Sequence, residues 1–79
     1  MKYSMTVTIG AYALKRVEGT DTVEFWHADC FICTRPICKE NAQWHLVALD
    51  DQRVSASTPL SVMATVLEED SMFWEAEQN

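Results

Sequence analysis

The sequence predicts an α+β fold: a small antiparallel sheet of three to four strands, a Cys-rich loop, and one C-terminal helix packed on one sheet face. Three observations predict it. Apolar and polar residues alternate with period two from Tyr3 to Ala13 and again from Thr22 to His27. All three cysteines and both histidines fall between His27 and His45, in a stretch without a clean period. Behind Thr58-Pro59, the residues Leu60, Met63, Val66, Leu67 and Trp74 recur at helical spacing. A length of 79 residues fits a single small domain spanning residues 1–79. The 48% hydrophobic content supports a packed core rather than disorder.

Each element has its own warrant. Residues 3–17 and 22–27 read as an antiparallel hairpin around the turn chemistry of Glu18-Gly19-Thr20-Asp21. Gly10 marks a bulge or bend within the first strand. Residues 28–42 contain Pro36 and read as a loop. Trp44 to Leu49 is apolar on both faces and reads as a third strand. Asp50-Asp51-Gln52 is the next turn, and Arg53 to Ser55 a short return strand. Thr58 is placed to cap the helix, with Pro59 at the first helical position, where a missing N–H costs nothing. The β-prone run Val62–Leu67 makes a strand the competing reading. The acids of Glu68-Glu69-Asp70-Ser71 read as a solvated helix turn or as a break. The expected core is Val7, Ile9, Val23, Phe25 and Leu46 or Val47.

The formal charge of −6 is uneven. Residues 1–53 hold six bases and seven acids, whereas residues 54–79 hold five acids and no base. Phosphate contacts need Lys and Arg, so the acidic third argues against direct nucleic-acid binding and fits a protein partner with a basic surface. The apolar runs are too short for a bilayer-spanning helix. An odd number of clustered cysteines and the lack of a signal pattern at the start point to a cytoplasmic protein.

Cys30, Cys33, Cys38 and His45 form a Cys-x2-Cys-x4-Cys-x6-His array with the spacing of a small structural zinc site, His27 being the rival fourth ligand. Reduced thiols and a disulfide, Cys30–Cys38 or Cys33–Cys38, are the other readings. Trp26-His27-x2-Cys30-Phe31-x-Cys33 resembles the middle of a LIM domain over eight residues. The chain departs from that pattern in having no upstream Cys-x2-Cys and no final ligands, so no LIM domain is inferred. No catalytic signature stands out. A Cys–His nucleophile pair gives a thiol-dependent enzyme as the last reading.

The expected role is a small acidic, non-enzymatic protein that binds and inhibits or modulates a larger protein. Glu68, Glu69, Asp70, Phe73 and Trp74 are the expected contact surface, with carboxylates for steering and aromatics as anchors. One version mimics nucleic acid and blocks a host defence system of the restriction or CRISPR type, as small phage inhibitors do. The alternative is a zinc-knuckle-like nucleic-acid-binding module with Lys15, Arg16, Arg35 and Lys39 as its basic patch. The oligomeric state is open.

Overall fold

In the computed structural model, which describes residues 3–78 and side chains as far as Met72, six strands precede one helix. They are β1 (Tyr3–Ile9), β2 (Tyr12–Val17), β3 (Thr22–His27), β4 (Cys30–Glu40), β5 (Gln43–Val47) and β6 (Arg53–Ala56), followed by α1 (Pro59–Gln78). Every strand pairs antiparallel with its sequence neighbour, in the order β1-β2-β3-β4-β5-β6. The meander curls into a half-barrel around the helix.

This corrects the expected sheet of three to four strands with a Cys-rich loop. Three tight turns and one bulge account for the difference. Gly10-Ala11 is a two-residue turn, with Ile9 paired to Tyr12, so residues 3–17 are two strands and not one. Gly10 has φ +58, a conformation that glycine adopts without Cβ strain and that suits the first turn position of a hairpin.

The segment expected to be a loop is mostly β4, an 11-residue strand. Its register shifts between Phe25 and Trp26, where Ile32 is the extra residue; this erases the period-two pattern. Pro36 is tolerated because it sits where pairing passes from β3 to β5: Thr22 is its last β3 partner, and Ile37 begins the β5 ladder. The strand is bounded by two-residue turns at Ala28-Asp29 and Asn41-Ala42, all four residues having φ between 50° and 64°. Both turns have the left-handed pair that matches strand twist, although alanine is not a residue that signals it.

The helix begins at Pro59. Thr58 Oγ1 accepts the Ser61 N–H at 3.1 Å, and the Thr58 carbonyl accepts from Val62 N at 3.1 Å. It runs unbroken through Glu68–Ser71, where Ser71 Oγ donates to the Glu68 carbonyl at 3.0 Å. The α-helical reading therefore holds over Val62–Leu67.

The core lies on the inner, helix-covered face. Leu14, Val23, Phe25, Ile37 and Leu46 from the sheet and Ala48 from the β5–β6 connection meet Val62, Met63, Val66 and Leu67 from α1, all buried. Each such aliphatic or aromatic side chain contributes roughly 1.5–3 kcal/mol through burial. Val7 is only half-buried and Ile9 is exposed, because β1 is an edge strand and Ile9 is its last residue before the turn; Val47 is half-buried because strand alternation turns it to the face opposite the buried Leu46 and Ala48.

Candidate protein interface

Strand alternation sends every second side chain to the outer face, which the helix does not cover. Cross-strand pairing aligns Thr6, Lys15, Glu24 and Thr34 in one row of that face, and Thr8, Ala13, Trp26 and Phe31 in the next. The register shift between Tyr3 and Met5 turns Tyr3 outward to join them.

These residues form a built platform. One oxygen of Glu24, Oε1, accepts the Tyr3 hydroxyl at 2.8 Å and the Trp26 indole N–H at 3.0 Å. Lys15 places Nζ 4.5 Å from the Trp26 ring centroid and 5.2 Å from that of Tyr3. Each cation–π contact at such a site is worth about 0.5–1 kcal/mol. Phe31 packs edge-on against Trp26, centroids 5.7 Å apart, and is 53% exposed. Glu24 is buried under its neighbours, 8% exposed, so its carboxylate locks the aromatic rings rather than offering charge to solvent. The hydrogen bond to Glu24 also raises the Tyr3 pKa above its ordinary value.

The cysteines and histidines divide into cross-strand neighbours on two faces. His27 pairs with Cys30 on the inner side, next to the Phe25–Cys33 row, and Cys38 pairs with His45 on the outer side. Cys33 and Cys38 are five residues apart in one extended strand, about 17 Å at 3.4 Å per residue. His45 is held by Ser55 Oγ at 2.6 Å and the Glu40 carbonyl at 3.2 Å. Tyr12 stacks on His27 at 4.5 Å. Among the described residues no three His, Cys, Asp or Glu side chains gather as a metal site would require. Cys30, Cys33, Cys38 and His45, with His27 as rival, are thus set along β3, β4 and β5 on two faces of the sheet rather than at one point.

The expected acidic surface is also divided. Glu68 and Glu69 are exposed on α1. Asp70 is buried, 3% exposed, and both its carboxylate oxygens accept the Leu49 N–H at 3.2 Å. Burial raises its pKa from 3.8 to about 6, with the nearby Asp50 and Glu69 charges adding; the Leu49 N–H and Arg35 oppose the shift. Asp70 therefore anchors the helix to the β5–β6 connection. The side chains of Phe73 and Trp74 lie outside the described residues.

The sequence reading missed the outer platform. Its signal was present in the alternation itself: Glu24 and Trp26 share the face opposite Val23 and Phe25. No family model matches this chain, and no curated protein and no solved structure matches it. No helix among the described residues is long and apolar enough to cross a membrane.

Proposed function

We propose that this chain is a small non-enzymatic binding protein that docks the outer face of its sheet on a larger protein with a basic rim, and so inhibits or modulates it. The observation that carries the reading is Phe31, a large ring left 53% exposed on a Trp26 whose indole is already fixed by Glu24. A ring held rigid before contact loses little conformational entropy on binding, and aromatic side chains dominate interface hot spots.

Charge placement supports it. The centre of the outer face carries Thr6, Thr8, Ala13, Trp26, Phe31 and Thr34, with Lys15 folded over rings and Glu24 buried. The exposed acids Glu18, Asp21, Asp29, Asp50 and Asp51 lie in the turns, and Glu68 and Glu69 on the helix. A charge-poor aromatic centre with a polar rim is the anatomy of a protein interface. The net charge of −6 would speed encounter with a basic partner and make that encounter salt-sensitive.

The test is affinity capture from the source cell with wild type, Phe31→Ala and Thr34→Lys, followed by binding measurements on the captured protein. Capture by wild type that both substitutions abolish supports the outer face. Capture left intact by both, but abolished by Glu68→Lys with Glu69→Lys, would move the contact to the helix.

A further inference from the structure

We infer that a second copy of this chain pairs with the edge of β1 that no strand covers among the described residues, antiparallel, so that two half-barrels share one continuous sheet. β1 and β6 are the two edges of the sheet. They are not alike. Edge strands ordinarily carry charges, prolines or bulges that discourage pairing. β6 is four residues long and begins with Arg53, which is bound to Glu40 at 3.2 Å. β1 is seven residues long, and among the six strands it alone contains no Lys, Arg, His, Asp, Glu or Pro. Its register irregularity is confined to the Tyr3–Met5 end.

The segment Met5-Thr6-Val7-Thr8-Ile9 is complementary to itself about Val7. A two-fold axis there sets Met5 opposite Ile9 of the second copy, Thr6 opposite Thr8, and Val7 opposite Val7. Apolar meets apolar on the inner side, and threonine meets threonine on the outer side; both are favourable cross-strand pairs. Ile9, 38% exposed, would gain an apolar neighbour. A register slipped by one residue would turn apolar side chains to the wrong face, so the pattern specifies this pairing over its neighbours. The helix lies against β1, whose Met5 and Val7 touch the core, while Thr6 and Thr8 stay exposed. The interface is isologous and closes as a dimer.

Sedimentation velocity on the full chain, from low to high micromolar concentration, should show a monomer passing to a dimer. Thr6→Lys with Thr8→Lys puts like charges opposite one another at both threonine pairs and should give a monomer throughout. Thr6→Lys with Thr8→Glu puts opposite charges at the same pairs and should restore the dimer. Both variants change exposed positions only, and a thermal melt checks that they fold. Amide exchange needs no variant: the β1 amides that point away from β2 should exchange more slowly as concentration rises. A wild type that stays monomeric, a dimer that the double lysine variant leaves intact, a monomeric Lys/Glu variant, or concentration-independent exchange would each overturn the inference.

Discussion

Leu49 donates its backbone N–H to both carboxylate oxygens of Asp70, each at 3.2 Å, across 21 residues of chain. This bond fastens the middle of α1 to the connection between β5 and β6. The same connection is closed internally by Ala48 N to the Gln52 carbonyl at 2.8 Å and by Asp51 N to the Ala48 carbonyl at 3.0 Å. Arg35 reaches it with an ion pair to Asp51 at 3.3 Å. One N–H does not offset the desolvation of a buried carboxylate, so Asp70 holds its proton up to about pH 6.

The sign of the resulting pH dependence follows from linkage. Asp70 binds its proton more tightly in the folded chain, at about 6, than at its ordinary 3.8, so its contribution to stability falls as pH rises through that window. The full effect is roughly 2–3 kcal/mol. Asp70→Asn keeps an oxygen for Leu49 and cannot ionise. Denaturation of wild type and variant at pH 4.5 and 7.5 should show the variant gaining on wild type at the higher pH. A variant that loses more stability at pH 7.5 than at 4.5 would show that the ionised carboxylate is the stabilising form.

The thiols should behave as three separate groups. Cys30 and Cys38 are exposed and should react at once with a disulfide reagent; Cys33, half-buried against the core, should react more slowly. Because β4 sets the cysteines along an extended strand, a strong chelator should leave the melting temperature unchanged. One equivalent of zinc retained on purification, with the melt lowered on its removal, would mean that β4 takes a different path.

What the sequence made legible was what alternation and capping state directly. The inward set Val23, Phe25 and Leu46 and the Thr58 cap could be read from residue type and spacing. The β3–β4 and β4–β5 turns could not, because Ala28 and Ala42 occupy left-handed positions where Asn or Gly would have signalled them. Without those turns β4 reads as a loop, and clustered cysteines in a loop invite a metal. The Ile32 bulge hid the strand period, and Pro36 supplied a false break. In the sequence Asp70 groups with Glu68 and Glu69, because sequence shows charge but not the helix face that carries it. The outer platform went unread for a related reason: Tyr3 reaches Glu24 only through the irregularity at the start of β1.

The β3–β4 turn stores strain that can be removed. Ala28, with φ 50, and Asp29, with φ 64, adopt the left-handed region at a cost of about 1 kcal/mol each. Ala28→Asn with Asp29→Gly supplies the pair this turn favours while leaving the Ala28 N–H bond to the Ala11 carbonyl in place. The double variant should be more stable by about 1 kcal/mol, a rise of roughly 4–8 °C in melting temperature for a domain of this size. An unchanged or lowered melt would show that the strain is offset within the turn.

The two faces of β3 and β4 should separate stability from binding. Phe25 is buried on the inner face and Phe31 is exposed on the outer one. Phe25→Ala should cost roughly 3–5 kcal/mol of stability. Phe31→Ala should cost less than about 1 kcal/mol, since it leaves no core cavity. If the outer face is the interface, Phe31→Ala should still weaken partner binding by about 2 kcal/mol, near thirtyfold. Glu24 gives a finer test. Glu24→Gln retains the oxygen that both Tyr3 and Trp26 bond, so the platform should persist. Glu24→Ala leaves both donors unpaired, frees the rings and should shift tryptophan emission to longer wavelength. Binding lost in Glu24→Ala but kept in Glu24→Gln would show that ring fixation, not the carboxylate charge, is what the partner reads. Equal loss in both would assign the role to the charge instead.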